Sequence, residues 1–300
     1  MSAGVISIDT VSGKTGLLAK LRALYERRET VRFLTSSNLK AGHRDKVLGN
    51  VWNVLDPLMF MLVYYFVFGV LFGLIKSSGG RATWYMLYIF VAVLMWRFIE
   101  GTISQGANCI RANRGLIHEI NFPKSVFPVS VACSRLYDFL WGLIILFVFL
   151  LIGALVDPIV GWPTLEYLWL PLLLLVTFLF VLGIGFFVAY LGAFFADTTN
   201  VVSVAMRLLF YCSPIFYLVR EKPGVPENMV ILKESEHPVL WALYMSNPIA
   251  SLMECYRDVL QWGEMPEPRL LLYVAGISLV LCTLGFSIFT RNEGKFAKYI

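Results

Sequence analysis

Charged residues are scarce in this 300-residue chain, since Asp, Glu, Lys and Arg together make up only 15% of it. Soluble domains usually contain about 25% charged residues. Hydrophobic residues reach 58% instead, and they are gathered in runs long enough to cross a bilayer as helices, which takes roughly 20 residues. The composition therefore excludes an ordinary soluble globular protein and predicts an all-α polytopic membrane protein.

Metal-ligating and catalytic residue types are also few and scattered. The 5 cysteines contain no C-x-x-C pair, so the sequence predicts neither a disulfide framework nor a metal site. The 3 histidines lie far apart, and no acidic cluster accompanies them. A glycan-processing membrane enzyme would need such residues gathered on one water-exposed face. We therefore expect no catalytic residue and no metal ligand on this chain.

A complete nucleotide-binding loop is lacking as well. Residues Ser12, Gly13, Lys14 and Thr15 resemble the end of a phosphate-binding loop, but the glycine required five residues before Gly13 is Ile8. No soluble nucleotide-binding fold follows. We therefore expect this chain to have no ATP site of its own.

The net charge of +5 arises largely in residues 1–50. No basic stripe with interleaved aromatic residues appears on a soluble domain, so anionic lipid or a soluble protein is the expected partner rather than nucleic acid. We expect no signal peptide in residues 1–50. Leucine spacing predicts one helix near residues 17–24, and residues 31–39 predict a second helix along the membrane surface.

Residues 51–300 are predicted to form a single domain with six transmembrane spans, and basic residues at both ends of the chain place both termini in the cytoplasm. Trp84, Tyr85 and Tyr88 predict an aromatic belt at the outer membrane interface, where the second span begins. Glycines in the fourth span predict close helix contacts. The spans are predicted at about 51–75, 84–104, 129–155, 167–195, 201–218 and 270–289.

Two arginines in these spans have an acidic residue three positions later, namely Arg97 with Glu100 and Arg135 with Asp138. That spacing places both members of a pair on one face of a helix. Charges near a membrane are costly unless they are paired or lie close to an interface. We therefore expect both pairs to form.

A polar segment, residues 105–128, separates the second and third spans, and its basic residues place it in the cytoplasm. Residues 112–120 are predicted to form a short helix of both charge signs, which ends at Phe122-Pro123 because proline cannot continue it. A short cytoplasmic helix between two spans is well placed to be pushed by a soluble partner. A passive loop is the alternative that the spacing leaves open.

Residues 219–269 differ from the other segments. Two apolar pieces, 239–245 and 249–260, are separated by Asn247-Pro248, and each is too short to cross a bilayer. A re-entrant hairpin that dips into the outer leaflet accommodates both, provided that protein or a water-filled cavity shields its backbone. This segment carries basic residues although it is placed outside, where the charge rule weakens for long loops; they are Arg220, Lys222, Lys233, Arg257 and Arg269.

Three blocks of residues cover nearly the whole chain after residue 30. The first block, from Arg44 to Tyr64, contains Leu48-Gly49, Trp52, Leu55, Pro57 and Val63. The second contains Asn113, Leu116-Ile117, Phe122-Pro123 and Pro128. The third contains Asp197, Ser213-Pro214-Ile215, Tyr217, Val225-Pro226, Asn247-Pro248 and Arg257. In this order, and with six spans, the blocks resemble the membrane subunit of type-2 ABC exporters for bacterial surface polysaccharides such as O-antigen, teichoic acid and capsule.

The resemblance implies a homodimer in the bacterial inner membrane that assembles with two copies of a separate ATP-binding subunit. ATP and magnesium would bind that subunit and not this chain. The substrate would be a polysaccharide, usually linked to undecaprenyl lipid, which leaves from the cytoplasm. The alternatives are an exporter of a small molecule such as a drug or haem, and a scaffold that transports nothing.

The resemblance also assigns roles to residues in three parts of the chain. Ser125 departs from the glutamate that many relatives carry after the Phe-Pro-basic triplet, so no particular ion pair with the ATPase is assigned. The expected contacts with the ATPase are Arg111, Arg114, His118, Glu119, Phe122 and Pro123.

The expected substrate path is Tyr64, Tyr65, Phe68 and Phe72, because pyranose rings stack on aromatic side chains, although packing against helices or lipid is the other reading. Phe60, Tyr64, Phe68 and Phe72 recur at every fourth position and so share one helix face. Glu254 and Arg257 are expected either to act at the outer exit, against lipid-linked phosphate, or to hold the hairpin to its neighbours.

Overall fold

A computed structural model describes residues 17–43, 51–71, 73, 82–119, 122–156, 163–220, 222, 230 and 232–299. Within these residues the regular structure is helical, apart from one isolated bridge between Leu218 and Val230. The all-α fold predicted from composition is therefore confirmed. The exact number of spans stays a prediction.

Four long helices are apolar enough to cross a membrane, and they correspond to the second, third, fourth and sixth predicted spans. They are α4 (Ala82–Ala112), α6 (Val126–Val156), α7 (Leu170–Phe194) and α11 (Pro268–Asn292). A 3₁₀ turn, Leu165–Trp169, precedes α7. Helices α4, α6 and α11 extend past the predicted bounds at both ends, because the apolar core of a span is shorter than the helix that contains it, whereas α7 lies within its predicted bounds.

The helices of the first and fifth predicted spans are shorter. Helix α3 (Trp52–Tyr64) continues as a π-helix, Tyr65–Leu71, and α8 covers Thr198–Tyr211. The 14 residues of α8 extend roughly 21 Å, less than the hydrocarbon core of about 30 Å. The chain continues as irregular backbone from residue 212 because Pro214 disfavours helix in the residue before it.

The remaining helices are short. Helices α1 (Leu17–Glu26) and α2 (Arg28–His43) lie in the N-terminal segment, and α5 (Arg114–Glu119) joins α4 to α6. Helices α9 (Pro238–Met245) and α10 (Pro248–Arg257) are the two apolar pieces of the predicted hairpin. They break at Asn247, whose side chain accepts a hydrogen bond from the Ile249 amide at 3.0 Å and so caps α10.

Helix α4 lies at the centre of the chain, where α3, α6, α7, α8 and α10 pack around it. Trp84, Tyr85 and Tyr88 at its start are buried, with exposed fractions of 3%, 0% and 2%. The aromatic belt predicted there is therefore wrong. The tyrosine hydroxyls instead donate to the carbonyls of Phe216 and Tyr217, both at 2.8 Å.

Glycines let α7 approach its neighbours closely, as predicted from their positions in the sequence. A Cβ atom at Gly192 would lie 1.8 Å from the carbonyl oxygen of Ala107 in α4, and one at Gly183 would lie 2.5 Å from the amide nitrogen of Cys282 in α11. Because backbone atoms occupy these places, only glycine permits the observed helix spacing.

One of the two expected ion pairs forms as predicted and the other does not. Arg135 Nη1 lies 3.2 Å from Asp138 Oδ2, three residues later on α6. Arg97 pairs with Asp56 of α3 instead, at 2.8 Å. The Glu100 carboxylate accepts from the Ser104 hydroxyl at 3.2 Å. The expected pair of Arg97 with Glu100 is wrong because the carboxylate of Asp56, on the neighbouring α3, binds the guanidinium instead.

Candidate coupling site and substrate path

The short helix α5 follows a sharp turn at Asn113. The backbone N–H of Asn113 donates to the carbonyl of Ile110 at 3.2 Å, and its side-chain Nδ2 donates to the carbonyl of Cys109 at 2.8 Å, so that α4 ends here. The carbonyl of Asn113 accepts from the backbone N–H of Ile117 at 3.1 Å, and α5 begins with this hydrogen bond. The short helix predicted at residues 112–120 is thus present as six residues.

Helix α5 has one buried and one exposed face. Ile117 is 5% exposed, whereas Arg114, His118 and Glu119 are all exposed. The exposed residues carry both signs of charge at spacings of one and four residues, so they lie close together on the surface. This face is available to a protein that supplies complementary charges.

Ile117 anchors α5 in an apolar group that we name the end cluster. It joins α2, α4, α5, α6, α7, α11 and the short 3₁₀ helix Glu293–Lys298 at one end of the molecule. A displacement of α5 is therefore passed to packed side chains on six other elements. The buried apolar side chains of the end cluster include Leu34, Ile117, Phe122, Val126, Phe127, Phe186, Phe286, Phe289 and Phe296.

Phe122 is part of this cluster and is not presented outwards. Its side chain is 7% exposed and its ring lies 5.5 Å from that of Phe127. The contact of Phe122 with the ATPase stays a prediction, and in this chain the ring is buried. The buried ring packs against α6, the helix that follows.

Arg111 likewise bonds within the chain. Its Nε donates to the carbonyl of Gly192 at 2.6 Å, and Nη2 donates to the carbonyl of Ala193 at 3.5 Å. Because α4 continues to Ala112, Arg111 faces the end of α7 and satisfies carbonyls that have no partner within that helix. Its contribution to the site is to position the end of α4.

The residues between α5 and α6 form a hydrogen bond with the last 3₁₀ helix, Glu293–Lys298. Pro123 is half-buried, and the amide of Lys124 donates to Glu293 Oε2 at 2.9 Å. Nearby, the Lys20 ammonium donates to the carbonyl of Thr290 at 2.9 Å. The first and last described helices therefore meet at the same end of the molecule as α5.

The aromatic residues expected on the substrate path are only partly described. The rings of Phe60 and Tyr64 stack at 6.1 Å, and Tyr64 also contacts Phe210 and Phe216 at 5.9 and 4.5 Å. Tyr65 is half-buried. Phe72 lies outside the described residues, as does the side chain of Phe68. The four-residue periodicity ends at Tyr65, because a π-helix bonds residues five apart and rotates the following side chains.

Glu254 and Arg257 are both buried on α10. Their side chains pair at 2.7 Å, and Arg257 Nη2 donates to the carbonyls of Pro214 and Ile215 at 2.5 and 3.4 Å. The guanidinium also lies 3.5 Å from the ring centre of Tyr88. These contacts correspond to the second expectation, in which the pair holds the hairpin to its neighbours.

Arg257 is one of several side chains that satisfy the irregular backbone after α8. Tyr85 and Tyr88 bond the carbonyls of residues 216 and 217, and Trp241 Nε1 donates to the carbonyl of Val219 at 2.8 Å. Unbonded carbonyls are costly in a membrane because no water replaces the missing donor. Donors from α4, α9 and α10 therefore stabilise the irregular backbone after α8.

Comparison with known proteins gives the family. The model of the ABC-2 type transporter family matches residues 29–260. The chain belongs to this family. The match runs from α2 through α10, so it includes the exposed face of α5 and the irregular segment after α8. Together with the four long apolar helices, membership makes the chain a multi-pass membrane protein.

Two O-antigen export system permease proteins named RfbA are similar to this ABC-2 chain. The protein from Myxococcus xanthus is 28% identical over 284 residues, which are 95% of this chain and 100% of the relative. One from Klebsiella pneumoniae is 27% identical over 269 residues, 89% and 93% of the two chains. A polysialic acid transport protein, KpsM of Escherichia coli, is 22% identical over 252 residues, 82% and 86% of the two chains.

A polar cavity between α4 and α6 was not found from the sequence of this ABC-2 protein. Its lining includes Arg97, Glu100, Arg135 and Asp138. The sequence did contain a signal, since it has two arginines, each three residues before a carboxylate. The cavity could not be foreseen because the two pairs lie on different helices, and only the packing of α4 against α6 brings them together.

Proposed function

We propose that this chain is the membrane subunit of an ATP-driven exporter of bacterial surface polysaccharide, carried as a lipid-linked polymer from the cytoplasm across the inner membrane. The similarity to an O-antigen export permease over 95% of this chain and 100% of the relative carries the proposal. Similarity to a polysialic acid transport protein supports the same class of substrate. The small-molecule alternative has no comparable support.

The energy source is a separate subunit in this proposal. The incomplete phosphate-binding loop, with Ile8 in place of a required glycine, leaves this chain without the residues that bind ATP and magnesium. Two copies of the chain assemble with two copies of an ATP-binding subunit. The two membrane subunits enclose the route of the polymer between them.

Both termini lie in the cytoplasm in the proposed topology. The hydrogen bond from Lys20 in α1 to the carbonyl of Thr290 in α11 supports this, because it holds the two ends of the described chain on the same side of the membrane. An even number of crossings follows, in keeping with six spans. The basic residues near both ends favour the cytoplasmic side.

Helix α5 is the element that the ATP-binding subunit contacts. Arg114, His118 and Glu119 make the contact, whereas Arg111, Phe122 and Pro123 position the helix from within the chain. The support is the division between an exposed charged face and a buried apolar face. Because the buried face packs in the end cluster, a push on α5 moves the spans.

The substrate path follows the first span in this proposal, along Tyr64, Tyr65, Phe68 and Phe72. Glu254 and Arg257 fix the backbone at its outer end. Aromatic faces stack on the apolar faces of sugar rings and tolerate sliding, which suits a polymer. The exposed rings of Phe60 on α3 and Phe66 on the π-helix that continues it support an aromatic surface along this segment.

Arg114→Glu tests the proposed contact. Reversing this exposed charge is expected to weaken binding of the ATP-binding subunit by about tenfold, the effect of one charge-assisted hydrogen bond, without changing the stability of the membrane subunit. Co-purification at increasing salt and ATP hydrolysis by the complex measure the effect. The matched control is Arg291→Glu, an exposed charge at the end of α11. Equal retention of the ATP-binding subunit by both variants contradicts the contact.

Deletion of the gene in its own organism tests the function itself. We expect surface polysaccharide to fall to background while polysaccharide accumulates inside the cell, and a plasmid copy of the chain to restore export. Antibody staining of intact and permeabilised cells separates the two pools. Unchanged surface polysaccharide rejects the proposed function, and increased sensitivity to a small toxic compound alone favours the exporter of small molecules.

A further inference from the structure

A cavity of about 310 Å³ lies between α4 and α6, in the halves of these helices that lead to α5, with Pro57 of α3 at its edge. This volume is at the lower end of the range for small-molecule sites. The cavity is also unusual for a membrane domain because most of its lining is polar. Polar groups inside a membrane protein are costly and are commonly functional.

Helical spacing explains how the polar groups converge. Arg97, Gly101 and Ser104 recur every three or four residues and share one face of α4. That face meets Arg135 and Asp138 of α6. A Cβ atom at residue 101 would lie 3.3 Å from both Cδ and Nε of Arg135. Glycine at this position therefore leaves room for the guanidinium beside α4.

The polar side chains are held in place by hydrogen bonds to one another. Arg135 Nε donates to Gln105 Oε1 at 3.1 Å, and its Nη1 donates to Asp138 at 3.2 Å. A guanidinium has five N–H donors, so Arg135 keeps donors beyond these two. Its side chain is 39% exposed, so those donors are accessible from the cavity. The cavity thus presents donors in fixed positions.

The acceptors are fixed as well. The Glu100 carboxylate is oriented by the Ser104 hydroxyl at 3.2 Å, and Asp56 holds Arg97 at 2.8 Å. On the apolar side, the rings of Phe98 and Phe139 stack on one another at 5.1 Å. Charged donors, charged acceptors and an aromatic surface therefore border one space.

The charge balance selects the class of ligand. The lining holds two guanidinium groups, Arg97 and Arg135, and two carboxylates, Glu100 and Asp138, while Asp56 pairs with Arg97 from α3. A phosphate or another anion gains no net attraction from this set, because the carboxylates offset the guanidinium groups. A neutral ligand with many hydroxyl groups can donate to the carboxylates, accept from the guanidinium groups and place C–H groups on the rings.

We propose that this cavity binds a sugar unit of the exported polysaccharide before the polymer crosses the membrane. The inference rests on the proposed function and names the site at which this chain first recognises its substrate. Recognition here is by hydroxyl groups and not by the charge of a lipid carrier. The residues that contact the sugar are Arg97, Glu100, Ser104, Gln105, Arg135 and Asp138.

The location also links the sugar site to the ATP-binding subunit. Helices α4 and α6 form the two walls, and α5 is the segment that joins them. Gln105 lies about two turns before the end of α4 at Ala112. A displacement of α5 therefore changes the distance between the two walls. The proposed sugar site therefore opens or tightens when α5 moves.

Photocrosslinking in cells tests the inference. A diazirine amino acid replaces Ser104 in the full chain, expressed with its partner in its own organism, and the probe is the polysaccharide that the cell makes. We expect light to attach polysaccharide to residue 104 at least about tenfold more than to the control position, Ile144. Ile144 lies on α6 and is 53% exposed, away from the cavity. Adducts with phospholipid alone, or equal labelling at both positions, overturn the inference.

Two variants add a second measurement. Arg135→Gln and Glu100→Gln are each expected to lower the polysaccharide adduct at residue 104 by about tenfold, since each removes one charge-assisted hydrogen bond. The amount of assembled complex, measured by co-purification, identifies a variant that fails to fold. Leu140→Ala, an exposed position on α6, is the matched control. Unchanged adduct yield in either folded variant contradicts the inference.

The two proposals fail in different ways. If deletion of the gene leaves surface polysaccharide unchanged, the proposed function is rejected. If deletion abolishes export but residue 104 acquires no polysaccharide, only the sugar site is rejected. Adduct formation that depends on Arg135 and Glu100 supports both.

Discussion

Arg257→Met is expected to remove most of the folded protein from the membrane. The change leaves the Glu254 carboxylate, which is 4% exposed, without its cation, and it leaves the carbonyls of Pro214 and Ile215 without a donor. Breaking a buried pair by removing one partner costs about 3–5 kcal/mol. Total stabilities are only about 5–15 kcal/mol, so a large share of the free energy of unfolding is lost.

Thermal denaturation of the purified chain in detergent, followed by size-exclusion chromatography, measures this effect. Arg269→Met is the matched control because Arg269 is exposed at the start of α11. We expect the control to unfold at the same temperature as the wild type. The Arg257 variant is expected to unfold at a clearly lower temperature or to be absent from the purified protein. Equal unfolding temperatures for the two variants exclude a structural role for the buried pair.

Gly183→Leu is expected to separate α7 from α11. A Cβ atom at this position would lie 2.5 Å from the amide nitrogen of Cys282 and 2.6 Å from the carbonyl carbon of Leu281, and backbone atoms cannot yield as side chains do. Gly285 makes the reciprocal approach, because a Cβ atom there would lie 2.3 Å from the carbonyl oxygen of Gly183. The cost exceeds the roughly 1–3 kcal/mol of ordinary overpacking, since the helices themselves must move.

Gly276→Leu provides the control for this prediction. A Cβ atom at Gly276 has no neighbour within 4 Å, so the new side chain enters open space on α11, the helix that Gly183 approaches. We expect the Gly183 variant to aggregate on extraction or to lose the end cluster, and the Gly276 variant to behave as the wild type. Limited proteolysis and the yield of monodisperse protein measure both, and equal yields contradict the close approach of the two helices.

Hydropathy predicted the long helices because a span needs about 20 apolar residues whatever its neighbours are. Local chemistry likewise predicted the break at Asn247-Pro248, where an asparagine cap precedes a proline at the first helical position. The short helix in the polar segment was predicted for the same kind of reason. Each of these features is determined within a few residues of sequence.

Features set by contacts between distant residues were missed or misassigned. Arg97 pairs with Asp56, 41 residues earlier, and not with the nearer Glu100. Trp84, Tyr85 and Tyr88 were assigned to an interfacial belt by residue type, but irregular backbone 129 to 131 residues later receives the tyrosine hydroxyls. Periodicity cannot identify such partners, since it describes one helix at a time.

The residues of the polar segment that were predicted to contact the ATPase differ in exposure, and contacts between distant residues decide which of them are buried. Exposure of Arg114, His118 and Glu119 agrees with a surface for a partner, which the family resemblance implied and which spacing alone left open. Phe122 is an apolar residue beside a proline, and sequence alone cannot tell whether its ring faces outwards or into the chain. The end cluster decides this, because it gathers residues from helices that lie far apart in the sequence.

The order of synthesis matters for the irregular segment after α8. The ribosome makes Pro214 43 residues before Arg257, and Val219 22 residues before Trp241. A nascent chain that has just completed α8 therefore lacks the donors for these carbonyls, and only the tyrosines of α4 are already present. The segment after α8 acquires its final hydrogen bonds after α10 has been translated, so a chain truncated before α10 leaves the carbonyls of that segment without their donors.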